Sequence, residues 1–169
     1  MSTTLTTLRE SWTQADDRQL LLRYVQPSLI GLIDGTISTL APIFASAFVA
    51  GPRAALLVGL AAALGAAISM GMSEGLSDDG SVTGRGGSLA RGIITGTATF
   101  LGGSLHALPF LIDDLGTALA VAYVVVSVEL VAIAWIRKRF LDVSLWRSLI
   151  QVTVGGVLVS AVGIAVGHA

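Results

Sequence analysis

The chain contains no cysteine, a single lysine (Lys138) and only 12% charged residues among its 169. The absence of cysteine excludes a secreted scaffold stapled by disulfides. A soluble domain carries about 25% charge, so roughly half the charge that keeps such a fold in water is missing. Neither sign dominates: ten Lys and Arg face eleven Asp and Glu, a formal net charge of −1, which argues against a nucleic-acid surface. What remains is apolar, with 53% hydrophobic residues and a mean hydropathy of +0.81. A soluble fold of this length could not cover that much apolar surface with polar atoms. The composition predicts an all-α integral membrane protein.

Crossing a bilayer takes about 20 helical residues, and five apolar stretches reach that length: 27–51, 54–76, 92–112, 115–136 and 148–167. They predict a five-helix domain over 27–168, preceded by a cytoplasmic or interfacial segment, 1–26. In that segment Leu5, Leu8, Trp12 and Ala15 recur at helical spacing, which suits either a short amphipathic helix on the membrane surface or a frayed polar tail. It does not read as a signal peptide, since no basic region precedes an apolar core. GxxxG spacings at Gly31/Gly35, Gly92/Gly96 and Gly163/Gly167 allow helix backbones to approach closely. Nine of the ten basic residues (Arg9, Arg18, Arg23, Arg85, Arg91, Arg137, Lys138, Arg139 and Arg147) fall on one side of these spans, and only Arg53 on the other. The positive-inside rule then puts the N-terminus in the cytoplasm and the C-terminus outside.

Four ionisable groups lie within the apolar stretches: Asp34, Glu74, His106 and Glu129. A carboxylate at the bilayer centre costs about 2.5–3.5 kcal/mol on insertion scales, so such groups mark function. Asp34, Ser38 and Pro42 share one face of the first span, and Met70, Glu74 and Asp78 share one face of the second through i, i+4 spacing. Pro42 cannot donate to the Ser38 carbonyl, so a kink is expected there with that oxygen free. Facing each other, the stripes would offer carboxylates, a thioether, a hydroxyl and a carbonyl in one cytoplasm-facing pocket. Carboxylate and carbonyl alone favour hard ions, and the thioether tips the set toward Fe²⁺ and its neighbours. The competing reading treats Met70 as packing filler.

Expelling a divalent cation against about 150 mV costs roughly 7 kcal/mol. No nucleotide motif could supply it: the Gly-rich run from Asp79 to Gly87 lacks the Gly-Lys-Ser/Thr of a P-loop and reads as a flexible connector. Carboxylates that hold either metal or protons, here Asp34 and Glu74, would make export a proton exchange, electroneutral at two protons per ion. His106 and Glu129, with Ser38, are candidates for a proton or metal relay. The bland alternatives are a packing histidine and a structural hydrogen bond from Glu129 to a neighbouring helix.

The run Gly31-Leu-Ile-Asp-Gly-Thr-Ile-Ser-Thr-Leu-Ala-Pro-Ile-Phe-Ala45 resembles the first membrane helix of the vacuolar iron transporter family. Ser69-Met-Gly-Met-Ser-Glu-Gly-Leu-Ser-Asp-Asp-Gly80 resembles the end of that family's second helix. Gly84-Arg-Gly86, Gly102-Gly-Ser-Leu-His-Ala-Leu-Pro-Phe110 and Val128-Glu-Leu130 are similar to the membrane half of its membrane-bound ferritin-like iron exporters. Over residues 27–167 the resemblance implies a five-helix protomer acting as a homodimer, with the metal path lined by the first helix and its symmetry mate. It implies a transporter rather than an enzyme, exporting cytosolic Fe²⁺ or Mn²⁺ in exchange for protons, in iron homeostasis at a bacterial inner membrane. It implies metal ligation by Asp34, Met70 and Glu74, with Fe²⁺ or Mn²⁺ as cargo and no resident cofactor.

The chain departs from the family twice. It lacks a ferritin-like N-terminal domain with a Glu-x-x-His motif, and a Glu-rich insertion between the second and third spans. Either a separate iron-delivering or ferritin-like partner supplies metal, or Asp78 and Asp79 form a minimal entrance. A membrane scaffold or assembly protein, binding partner helices through its GxxxG faces without transport, is the alternative from another class. A membrane-embedded enzyme would need a catalytic cluster that the sequence does not display.

Overall fold

The computed structural model describes residues 16–169, so the segment around Leu5, Leu8, Trp12 and Ala15, read as a surface helix or a frayed tail, lies outside the described residues. Among them every element is helical. A π-helical turn at Leu21–Val25 leads into α1 (Gln26–Ser38), α2 (Leu40–Ala50), α3 (Pro52–Ser77) and α4 (Ser88–Leu105). A 3₁₀ turn at Leu108–Leu111 then precedes α5 (Leu115–Leu141) and α6 (Leu145–Gly167). Four helical stretches are long and apolar enough to cross a membrane: Asp16–Ala50, Pro52–Ser77, Leu115–Leu141 and Leu145–Gly167.

The stretch predicted as one crossing over 92–112 behaves differently. Its helix begins earlier, at Ser88, and stops at Leu105. Pro109 explains the stop, because its ring would clash with the Leu105 carbonyl four residues back and it has no N–H to donate. The chain turns at His106 and continues as the 3₁₀ turn, with Ala107 and Phe110 buried.

Proline also shapes the first rod. α1 and α2 are continuous except at Thr39, where φ is −87° and ψ −13°. Pro42 removes the donor to Ser38 and crowds its carbonyl, and the helix is interrupted at Thr39.

The helices are held together by small residues. A Cβ on Gly35 would stand 2.1 Å from the Thr99 carbonyl oxygen, so only glycine lets α1 lie this close to α4. Gly92 and Gly96 meet Gly71 and Ala67 of α3, and Gly163 and Gly167 meet Ala41 and Ala45 of α2. All three GxxxG spacings therefore sit at helix contacts. Leu40, Ile43 and Phe44 of α2 form the apolar core with Ala122, Val126, Leu130 and Ile133 of α5.

Basic residues gather at one end of the bundle. Arg23 lies against Gly86 in the α3–α4 loop. Tyr24 and Ser28 line a groove with Ile136 and Phe140 of α5, so the last turn of α5, with Lys138 and Arg139, is at that end too. Arg53 is at the opposite end, in the first turn of α3.

Candidate functional site

Asp34 of α1 and Met70 of α3 come together. With Ser38, Ile30, Ile33 and Ile37 they line an open groove of about 430 Å³ on the side of the bundle. Gly31 and Gly35 point to the other side of α1, where they seat it on α4, and this turns Asp34 outward. Asp34 is half-buried, Ser38 exposed. Among the described residues Asp34 has neither an ion-pair partner nor a side-chain hydrogen bond. The groove thus presents one carboxylate, one thioether and one hydroxyl, surrounded by isoleucines.

Glu74 is not in this groove, contrary to the single two-carboxylate pocket expected from the i, i+4 stripe. It is turned onto α4, where its Oε1 accepts from Arg85 Nη2 at 2.8 Å and from Arg91 Nε at 2.9 Å. Arg91 is 1% exposed. It also donates through Nη1 to the Gly86 carbonyl and through Nη2 to the Asp78 carbonyl, at 2.8 and 2.6 Å. One guanidinium therefore ties the end of α3, the connecting loop and the start of α4 together, with its donors distributed in the fork that arginine provides. The physical reason for the turn is charge: a buried arginine needs an anion, and Glu74 is the acid one helix away.

Asp78 and Asp79 organise the connector. Asp78 accepts from the Thr83 hydroxyl and, at 2.8 Å, from the Gly80 N–H, and these bonds hold its carboxyl below the usual carboxylate range. Arg91 adds a weaker pull from 3.7 Å. Asp79, exposed, accepts from the Ser81 N–H at 2.8 Å and is likewise lowered. Both stay ionised at the bundle's basic end, beside the Glu74–Arg91 cluster.

His106 and Glu129 are brought into direct contact. His106 Nδ1 is 2.9 Å from Glu129 Oε2, and its Nε2 is 2.8 Å from the Thr39 hydroxyl. Thr39 donates to the Gly35 carbonyl at 2.9 Å. The chain break at His106 aims the imidazole inward between α2 and α5.

Three of these residues were not singled out from the sequence. Arg91 stands one position before the third apolar stretch as drawn, so it reads as a loop charge; its place on the face shared by Gly92, Thr95 and Gly96 was the available signal. Arg85 carries no such signal, because its contact depends on how the loop folds. Thr39 could have been suspected as the polar residue three before Pro42.

Among the described residues, no three His, Asp or Glu side chains converge on a common point. One chain offers a divalent ion at most Asp34, Met70 and Ser38 in one groove, fewer than the six or so ligands that first-row and alkaline-earth ions take from oxygen-rich sites. No protein-family model, no curated protein and no solved structure matches this chain.

Proposed function

We propose that the protein is a multi-pass secondary transporter that exports Fe²⁺, with Mn²⁺ as a second cargo, in exchange for protons. The observation that carries this reading is the half-buried Asp34 carboxylate beside Met70, uncompensated by any cation among the described residues. Leaving a carboxylate unpaired in an apolar setting is costly, and an arriving cation removes that cost. The thioether selects among cations, since hard Mg²⁺ and Ca²⁺ gain little from sulfur while Fe²⁺ and its neighbours accept it.

Because the groove is open and short of ligands, a second copy of the chain apposed on α1 would complete it. The reading is therefore of a homodimer with one ion path at the twofold axis. In this arrangement α4 and the turn after it make the fifth crossing, the basic end faces the cytoplasm of a bacterial inner membrane, and the C-terminus lies outside. Glu74 becomes a ligand only after release from Arg85 and Arg91. Asp78 and Asp79 then act at the entrance, where a ferritin-like or other iron-delivering partner would hand over metal.

The test is metal uptake into proteoliposomes loaded with a pH-sensitive dye. Wild-type chain should take up Fe²⁺ or Mn²⁺ with matching proton exit, and Asp34→Asn should do neither. A wild-type chain that moves no divalent ion under a pH gradient would return the reading to a scaffold protein.

A further inference from the structure

The hydrogen atoms along Thr39, His106 and Glu129 can be counted. Thr39 has one hydroxyl hydrogen, and it goes to the Gly35 carbonyl, which has none of its own to give. With that hydrogen on Gly35, the 2.8 Å contact between Thr39 and His106 Nε2 is made by an Nε2–H. A neutral imidazole carries one N–H, so Nδ1 would be bare and would face the Glu129 carboxyl at 2.9 Å. Two acceptors do not attract at that distance, so a second hydrogen lies between them. It belongs either to a protonated Glu129 or to an imidazolium, and in both cases the pair as a whole is neutral.

Burial points the same way. The His106 side chain is 1% exposed and that of Glu129 9%. The other carboxyl oxygen of Glu129, Oε1, is buried with no hydrogen-bond partner among the described residues. An anion held there would be neither solvated nor paired, near the middle of a helix that is 27 residues long. A neutral carboxyl–imidazole pair tolerates the unpartnered oxygen far better.

No other charge on the surrounding elements offsets the pair. α1 carries Asp34, five positions before Thr39 and turned into the groove. α2 and the 3₁₀ turn have no charged residue. α3 has Glu74, committed to arginines, and Arg53, which lies six residues or about 9 Å before the Gly59–Ala107 contact. α4 has only Arg91, at its far end. On α5 the remaining titratable groups are Tyr123, stacked on Phe44, and the basic residues of the last two turns. Asp113 and Asp114 precede α5, and Asp114 caps it through Thr117. α6 contributes Arg147 in its first turn, with His168 beyond its other end.

We propose that His106 and Glu129 hold one exchangeable proton as a neutral buried pair, and that this pair is the proton-carrying site, separate from the Asp34–Met70 groove. Its role in exchange rests on the transporter reading above. Release is a simple dissociation: the shared proton leaves, the pair becomes a neutral imidazole and a carboxylate, and the net charge falls by one. A dimer holds two such protons, the number that makes export of one divalent ion electroneutral. Thr39 links the pair to the end of α1, the helix that carries Asp34.

The experiment is nitrogen NMR of histidine-labelled full-length protein in lipid bilayers. The chain has two histidines, so a His168→Asn background leaves the His106 signal alone. The expected result is an Nε2 that carries hydrogen and an Nδ1 that shares one with Glu129, with the Nδ1 signal altered in Glu129→Gln and Nε2 unchanged. A ring with bare Nε2 and protonated Nδ1 at neutral pH would overturn the proposal, since Glu129 would then be a lone anion. If Glu129→Gln fails to fold, Thr39→Val asks the question from the other end. Loss of the acceptor should shift the ring away from Nε2–H, and an unchanged ring overturns the proposal. In proteoliposomes Glu129→Gln should lose metal-driven proton movement, and an unchanged proton-to-metal ratio would overturn the carrier role. Wild-type chain whose His106 ring is protonated as described but that moves no divalent ion would remove the transporter reading and leave the proton site standing.

Discussion

Glu74 and Asp34 are both acids on membrane-length helices, and their surroundings are opposite. Glu74 sits at the α3–α4 junction with two guanidinium groups on one of its oxygens. Asp34 sits on the open side of α1 with isoleucines, a serine and a methionine around it and no cation among the described residues. The first carboxylate has its charge cancelled by the protein, so it serves the fold. The second has been left for something else to cancel, so it can serve a ligand. An ionisable residue in an apolar segment is thus only half a functional signal. Its counter-charge, or the lack of one, is the other half.

The comparison can be broken most severely at Gly35. A Cβ there meets the backbone carbonyl of Thr99 rather than a side chain that could move. Gly35→Ala should therefore part α1 from α4, disordering the Asp34 groove while leaving the Glu74–Arg91 cluster on α3 and α4 intact. Hydrogen exchange in detergent would report this as lost protection in α1 with the α3–α4 junction preserved.

Glu74→Gln should come next. It leaves Arg91 buried with its nearer counter-charge gone and only Asp78 at 3.7 Å, and breaking one side of a buried pair costs about 3–5 kcal/mol. Thermal unfolding should register a clear drop, and Glu74→Gln/Arg91→Met should recover part of it, because the fully buried guanidinium is gone and only the more exposed Arg85 is left without a partner. Asp34→Asn should behave in the opposite way. It removes a charge with nothing to pair with, so the unfolding temperature should hold or rise slightly. Metal binding should nevertheless fall: a unit charge 4 Å from a unit cation at an effective dielectric of about 20 is worth about 4 kcal/mol, or up to roughly a thousandfold. Isothermal titration with Mn²⁺ measures this, and tight binding that survives Asp34→Asn would erase the distinction between the two acids.

The smallest effect concerns the connector. The carboxyl of Asp78 is held below its ordinary value by Thr83 and Gly80, so the folded loop binds protons less readily than the unfolded one. Its contribution to stability is present above the ordinary carboxylate value and is lost as pH falls through the lowered one. Limited proteolysis at residues 78–87 should therefore accelerate only in strong acid. Asp78→Asn should bring that looser loop to neutral pH without disturbing the Asp34 groove.

Much of the architecture could be read directly from residue order. Apolar runs predicted the helices to within a few residues wherever no proline intervened, and Pro42 announced the break that appears at Thr39. The GxxxG spacings marked real contacts because close approach depends on local features: a missing Cβ and a helical repeat. The third stretch was drawn as unbroken through residue 112, whereas its helix ends at Leu105, because hydropathy is blind to the clash between Pro109 and the Leu105 carbonyl. Asp34, Met70 and Ser38 could be grouped from helical periodicity on two adjacent rods.

Glu74 could not be understood that way, nor could His106 and Glu129. Helical periodicity says which residues share a face, but not which neighbouring helix that face meets. Glu74 shares a stripe with Met70, yet rotation of α3 against α4 gives it to Arg91, 17 positions along the chain. His106 and Glu129 are 23 positions apart and meet through a turn whose path depends on packing beneath it. Residue order alone therefore settled that this is a helical chain, long and apolar enough to cross a membrane several times, with acids in unusual places. Which acid is neutralised, which is left open and which shares a proton depended on side chains from separate helices meeting within 3 Å, because electrostatic pairing is decided by distance in space and sequence spacing carries that distance only within a single helix.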